Sequence, residues 1–478
     1  MNEYMSKTQS ICPVCHRPID AYYIEIDSTD TEDSRVYFVK ECPEHGKYRT
    51  LAAESASDFK WWVDHPVVNV PPEAVITKGA AGDGECPLHC GTCDNHLQTP
   101  CCVLIDVTDR CNQHCPYCFA QAEDEPYGRE PSLAEMGNKL DHLLELGEEG
   151  REFNIQISGG EPTVRDDLPE IIRMASDKGF SYIQINSNGR RLAEEEGYAE
   201  ALREAGASVI FMQFDGTRDD IYMALRGEPL FKTKVRAIRN CERAGLAVTL
   251  VPTIVRGIND DNIGEVMDFL VENVNVVKGV HFQPASFFGR YPDGDETEGR
   301  ITMFGILREL EKQRPQFRYK DSLPIATGHT LCCCYSTYIK EPDGSIRCTL
   351  SRRAREEGIG CCDDGACMTQ ADCLEVIKKD RDYVLNKWDI AAPDNSGDTG
   401  AGSKSQYTSS DEITDLDEFL SYYKRNTFTV TGMAFQDLSN LDAERLKRCR
   451  VVQYTDDGRL IPFCAYNTIY RNREEKKK

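Results

Sequence analysis

Three cysteines, Cys111, Cys115 and Cys118, stand directly behind an apolar stretch, Val103 to Val107, that reads as a strand. No other feature limits the chain as much. Thiolates in a C-x3-C-x2-C run can hold three corners of a [4Fe-4S] cube, and the missing fourth ligand leaves one iron open to a substrate or cofactor. A zinc knuckle, the alternative, would need a fourth ligand close by.

Behind the triplet the pattern alternates. Strands are predicted at Val103 to Thr108, Phe153 to Ser158, Tyr182 to Ser187, Ser208 to Phe214, Ala247 to Ile254 and Gly279 to Gln283, with helical stretches between them. The first helix opens on the capping box Ser132-Leu133-Ala134-Glu135 and carries Leu133, Met136, Leu140, Leu143 and Leu144 on one face. Repeated strand-helix units imply an α/β fold with a parallel sheet and right-handed crossovers, either open or curved into a partial barrel. Sites in such folds gather at the C-terminal strand ends.

The division expected is a cysteine-rich metal-binding region over 1–102, a core over 103–300, a second cysteine-rich region over 301–390, a polar linker over 391–415 and a cysteine-containing segment over 416–478. Metals are expected to stand in for a hydrophobic core in the first region. The segments Cys334 to Cys348 and Cys449 to Cys464 each read as a hairpin turning on an acidic residue and glycine. There are 22 cysteines in 478 residues, clustered and without a secretory leader at Met1 to Ser10, so they read as metal ligands rather than disulfides. Cys241, alone in a helical stretch, reads as a buried thiol. A net charge of -24 argues against nucleic acid as a partner. With no apolar run able to span a bilayer, the chain is expected in the cytoplasm, touching a membrane at most peripherally.

The predicted strands end in polar, glycine-rich sequences: Ser158-Gly159-Gly160-Glu161-Pro162, Asn186-Ser187-Asn188-Gly189 and Gln213-Phe214-Asp215-Gly216. With the cysteine triplet, these resemble the radical S-adenosylmethionine (radical SAM) superfamily, whose core is a partial (β/α)6 barrel. The resemblance implies that Cys111, Cys115 and Cys118 ligate a [4Fe-4S] cluster whose open iron chelates S-adenosylmethionine. It implies that Gly159, Gly160, Glu161 and Pro162 hold the methionine amine, that Asn186, Ser187 and Asn188 meet the ribose and carboxylate, and that Tyr117 lies near the adenine. Asp215, at the next strand end, is a further cofactor-binding candidate. One-electron cleavage would then yield a 5'-deoxyadenosyl radical that abstracts hydrogen from an unactivated carbon.

Other cysteines point to further metals. Cys12, Cys15, Cys42 and His45 make a two-knuckle site for one tetrahedral Zn or Fe. Cys86, Cys90 and Cys93, with Cys102, and Cys334, Cys348, Cys449 and Cys464 are candidates for one or two auxiliary [4Fe-4S] clusters, with structural zinc as the alternative at Cys86 to Cys93. The knuckle segments, Cys86 to Cys93, Phe282-Gln-Pro-Ala-Ser-Phe287 and Lys447 to Asn467 also resemble a narrower group, the tetraether lipid synthase and class D pterin methyltransferases. That likeness implies carbon-carbon coupling of lipid chains as the leading function and methylation of a pterin or another small heterocycle as the alternative. An electron donor such as ferredoxin or flavodoxin is implied in either case. A non-enzymatic Zn/Fe-S scaffold or redox sensor is the reading from another class.

Overall fold

The computed structural model describes residues 3–27, 33–65, 67, 69–72, 86–123, 130–147, 153–292, 294, 299–325, 328–350 and 422–471. The expected linker over 391–415 and the cysteines at 361–373 lie outside the described residues.

The N-terminal segment is an antiparallel meander of β1 (Glu3–Ile11), β2 (Pro18–Ile26), β3 (Arg35–Cys42) and β4 (Gly46–Ala53), in that order across the sheet. It has a hydrophobic core, contrary to expectation. Ala21, Tyr23, Val36 and Phe38 pack on Phe59 and Trp62 of the helix Ala56–Val63, and on Met303, Phe304 and Leu307 of the helix Met303–Gln313. The apolar surface comes from a helix some 250 positions away, which a local pattern cannot show.

The main sheet runs through β5 (Cys102–Thr108), β6 (Asn154–Gly159), β7 (Ile183–Ser187), β8 (Val209–Gln213), β9 (Ala247–Val251), the short β10 (Thr253–Ile254) and β11 (Val277–Pro284). Its neighbours β5-β6-β7-β8-β9-β11 are all parallel, and the intervening helices cover one face. The C-terminal part completes it. After the short β12 (Leu323–Pro324) come β13 (Cys333–Lys340), β14 (Ile346–Cys348), β15 (Thr427–Met433), β16 (Val451–Tyr454) and β17 (Leu460–Pro462). β15 lies parallel to β11, and β16 lies parallel to β5. Segments expected to stand apart therefore cap both edges of the barrel strands, satisfying backbone groups that would otherwise be open. Both expected hairpins form, β13-β14 turning at Gly344 and β16-β17 at Gly458, each with positive φ.

The two faces of the sheet differ sharply. Val103, Ile105, Ile155, Ile157, Ile183, Ile185, Ile210, Met212, Val248, Leu250 and Val280 point to the helices and form one buried cluster. Cys241 sits in that cluster, its thiol pushed up to about 12 by burial. The alternate positions face the barrel lumen, and register aligns them in rows: Gln453, Leu104, Gln156 and Gln184, then Asp106, Ser158, Asn186, Phe211 and Thr249. Among the described residues no helix is long and apolar enough to cross a membrane.

Candidate functional site

The cysteine triplet leaves the C-terminal end of β5, and two arginines fix its loop. Arg290 exchanges both backbone hydrogen bonds with Cys118 at 2.9 Å and donates from Nε to Cys115 O at 2.9 Å. Arg226 donates from Nη1 to Tyr117 O at 2.9 Å. Neither was foreseen, because each lies over a hundred positions from the loop it holds. Cys111 and Cys115 are buried and Cys118 half-buried. Burial, joined at Cys111 by the charge of Glu161, pushes both buried thiols above their usual range. As free thiols they would stay protonated, so a bound cation would have to supply the driving force for thiolate formation.

The glycines at the end of β6 are required by close packing. A Cβ at Gly159, where φ is +137°, would stand 2.1 Å from Thr108 O, and one at Gly160 would stand 2.2 Å from Arg110 O. Gly160 N and Glu161 N donate to those same carbonyls at 2.9 Å. The strand ends are thereby stitched to the segment that leads into the cysteines. Glu161 is 2% exposed, and Pro162 after it opens a single 3-10 turn. Its carboxylate accepts from Thr163 N and Oγ1, Ser187 Oγ and Asn188 N at 2.6–3.2 Å. Burial raises its pKa against those bonds.

Three of these bonds fall on Oε1 and one, from Asn188 N, on Oε2, so the carboxylate expected near an ammonium is also held by the neighbouring strand end. Asn188 is likewise engaged, its Nδ2 donating to Asn112 Oδ1 at 2.8 Å and its Oδ1 accepting from Arg190 N at 3.0 Å. Asn186 accepts from Gln184 in the lumen at 2.7 Å. Asp215, expected to bind cofactor, is fully buried in a bidentate ion pair with Arg226 at 2.7 Å and accepts from Thr253 N at 3.1 Å. It thereby gives a buried counter-charge to the guanidinium that holds the cysteine loop. Tyr117 packs with Leu225, Val255, Ala285 and Phe287, against the ends of β10 and β11.

The lumen below is mixed: polar groups stand beside Leu104 and beside a cluster of Tyr182, Val209, Phe211 and Ala247. Gln453 has neither amide atom paired, and Thr249 Oγ1 and Asn154 Oδ1 also lack partners. His281 donates to or accepts from Thr431 Oγ1 at 2.8 Å, and burial lowers its pKa to about 4, so the imidazole is neutral. At the rim Arg471 Nη2 pairs with Asp106 at 3.0 Å. These groups were missed, although one signal was legible: Asn154-x-Gln156-x-Ser158 and Gln184-x-Asn186 alternate polar residues inside apolar strands.

The leader ligands converge. Ligand atoms of Cys12, Cys15, Cys42 and His45 all lie within 4.8 Å of one another, at the β1-β2 and β3-β4 turns. That donor set suits a single tetrahedral ion. The free thiols of Cys86 and Cys90 share a hydrogen bond, and that bond, burial and the charges of Cys86, Cys93 and Cys449 raise the Cys90 pKa. Cys449 is raised by burial and by Cys464 and Cys332. Cys334 and Cys348 do not join them: Cys334 Sγ lies 3.6 Å from Met303 Sδ in an apolar cluster, and Cys348 pairs opposite Tyr338 in the hairpin. Strand alternation sends Cys333 and Cys334 to opposite faces, and it is Cys333, with Cys332 just before the strand, whose charge environment includes Cys449. Cys102 bonds Gln156 on the lumen face, beside Cys101 and Cys449, and does not close the Cys86 to Cys93 set.

A parallel barrel with three thiols at the exit of its first strand defines a class. The radical SAM superfamily model matches residues 105–270, and the model of the HMPTM N-terminal zinc ribbon domain matches residues 4–54. The chain belongs to the radical SAM superfamily and is a radical SAM enzyme, which implies a [4Fe-4S] cluster and S-adenosylmethionine. Over 98% of its length it is similar to the 7,8-dihydro-6-hydroxymethylpterin dimethyltransferase of Methanocaldococcus jannaschii, 33% identical over 505 residues and covering 95% of that protein. Fe-coproporphyrin III synthase of Methanosarcina barkeri is 35% identical over 172 residues, 36% of this chain and 41% of that protein. The solved structure of Streptococcus suis SuiB bound to S-adenosylmethionine matches 47% of this chain and 48% of its own at 16% identity, with a TM-score of 0.38. That distant likeness bears on neither reaction nor substrate.

Proposed function

We propose that the protein adds methyl groups to carbon of a reduced pterin or a closely related nitrogen heterocycle. The observation that carries this reading is the set of unpaired polar atoms on the lumen face, at Gln453, Thr249 and Asn154. Against a hydrocarbon chain, the unpaired amide of Gln453 and hydroxyl of Thr249 would each cost about 1–3 kcal/mol, whereas a ring bearing N–H and C=O groups can satisfy them. The full-length similarity to a pterin dimethyltransferase supports the same choice over lipid coupling.

The residues present fit the cofactors. Cys111, Cys115 and Cys118 would hold the cluster, and Arg226, whose charge acts on Cys115 and Cys118, would offset part of the thiolate charge. The Gly159 to Glu161 turn and Tyr117 would border S-adenosylmethionine. When bound, the pair supplies the electron and the radical that open an unactivated C–H bond. The chain's own part is to orient the heterocycle through Gln156, Gln184, Thr249 and Gln453 and to keep the site closed with the Arg226 and Arg290 clamps. Cys12, Cys15, Cys42 and His45 would hold zinc, in keeping with the ribbon match. Cys86, Cys90 and Cys93, and the group around Cys332, Cys449 and Cys464, would hold auxiliary clusters.

The test is anaerobic turnover with a chemical reductant, a dihydropterin, and two differently labelled one-carbon sources, S-adenosylmethionine and a methylene-bearing reduced folate. A pterin product gaining labelled methyl carbon, with 5'-deoxyadenosine formed alongside, is expected. Joined hydrocarbon tails from an added lipid, with the pterin unchanged, would reverse the conclusion. Metal analysis of Cys12→Ser should show loss of zinc with iron and sulfide unchanged.

A further inference from the structure

A cavity of about 640 Å³ opens between the N-terminal ribbon and the barrel, and nothing above uses it. Its walls carry Arg35, Arg49, Arg256, Arg300, Tyr37 and Tyr48, with Glu54 as the acidic residue lining it among those described. Four arginines and one glutamate line the same cavity in a chain of net charge -24. Two of the arginines are already matched: Arg256 donates to Glu54 at 2.8 Å, and buried Arg300 donates to Asp437 at 2.8 Å. Arg35 and Arg49 pair with no carboxylate among the described residues. Arg49 instead lies over the Tyr37 ring at 4.9 Å, which fixes its direction while leaving its charge uncompensated.

Such a wall suits one kind of guest. Arginine forks match phosphoryl oxygens two at a time, and the tyrosine rings add flat wall beside them. A second cavity adjoins it on the barrel side. Arg300 and Leu51 line this smaller cavity with Pro284 and Ala285 at the C-terminal end of β11 and with Ala434 and Phe435 beyond β15. Ala285 in turn packs in the cluster that contains Tyr117 of the cysteine loop. Arg300 and Leu51 are thus a wall common to both cavities, and the inner one lies beside the residues that border the cysteine loop.

We infer that this cavity binds the phosphoryl or diphosphoryl end of an anionic substrate whose other end enters the barrel. The link to substrate rests on the methyl-transfer reading, while anion binding as such does not. A phosphate ester on the pterin's hydroxymethyl group and the headgroup of a phospholipid share this chemistry.

The test uses the full chain loaded with its metals and titrated with inorganic diphosphate by calorimetry. Diphosphate should bind, more weakly as salt rises, and Arg35→Gln and Arg49→Gln should each weaken it roughly tenfold, with the double variant about 100-fold weaker. Reductive cleavage of S-adenosylmethionine without substrate should be unchanged in all three. Absence of binding to the parent protein, or equal binding to the double variant, overturns the inference. Dihydropterin with and without the phosphate ester, and phosphatidylglycerol vesicles, then separate the sources. A gain from the ester that the double variant loses assigns the anion to the pterin. Vesicle retention lost in the same variant assigns it to a lipid headgroup. In that case the anion site stands and the methyl-transfer reading falls, and diphosphate binding with no methylated pterin would separate the two in the same way.

Discussion

Gln453 offers a direct measure of what the lumen is for. It sits at 1% exposure on β16 with neither Nε2 nor Oε1 paired. Each orphaned atom costs about 1–3 kcal/mol, and leucine of similar volume removes both while keeping the packing, so Gln453→Leu should stabilise the substrate-free protein by about 1–3 kcal/mol after part of that gain is lost to imperfect fit. At about 2 cal/mol/K per residue the unfolding entropy of a chain this long is ~1 kcal/mol/K, which puts the rise in Tm at roughly 1–3 °C. The same change leaves one or two polar groups of a bound heterocycle unmet, and kcat/KM for pterin methylation should fall roughly 10- to 100-fold. Scanning calorimetry and product formation are measured on one preparation, with Thr249→Val as the companion that removes the orphaned hydroxyl without a change of shape. A protein that gains stability and loses turnover supports a lumen built for a polar guest. If Gln453→Leu is no more stable than the parent and turns over normally, the amide is solvated and unused, and the argument from the lumen fails.

Three further outcomes follow from the packing. Gly160→Ala places a methyl 2.2 Å from Arg110 O, a backbone atom that cannot swing aside, so the cysteine loop should shift and iron incorporation after anaerobic reconstitution should drop; full cluster absorbance would contradict the stitching of the strand ends. Asp215→Asn leaves Arg226 charged and buried, which should cost about 3–5 kcal/mol in denaturant unfolding, and the pair Asp215→Leu with Arg226→Met should recover much of it. Lys278 is buried in β11, bonded to Val274 O and Arg425 O, with its pKa lowered to about 7 by burial and by Lys424 and Arg425. Its unfolded form holds a proton up to the ordinary lysine range, so between about pH 7 and 10 the unfolded state binds more protons and stability should rise with pH. Lys278→Met should flatten that slope, and an unchanged slope would place its origin elsewhere.

The lumen and the cavity of arginines show where reading along the chain stops. Cys111, Cys115 and Cys118, the strand-end glycines and the alternation behind them were legible because each depends on neighbours within a few positions. A period of two marks a strand, a capping box marks a helix start, and thiol spacing marks a metal. The polar alternation in β6 and β7 was equally present, but which face would be enclosed depended on β15 and β16 arriving from the C-terminal part to cap the sheet.

By itself, then, the sequence determined the barrel strands, the cysteine triplet and the ligand set Cys12, Cys15, Cys42 and His45, all of which are local patterns. Only the tertiary structure decided that Glu161 and Asp215 are held by protein partners, that Arg226 and Arg290 clamp the cysteine loop, and that Cys332 and Cys333 rather than Cys334 and Cys348 share a charge environment with Cys449. The physical reason is common to all of these. Buried charges and strand edges must be satisfied by whatever group the fold brings near, and chain separation places no limit on which group that is.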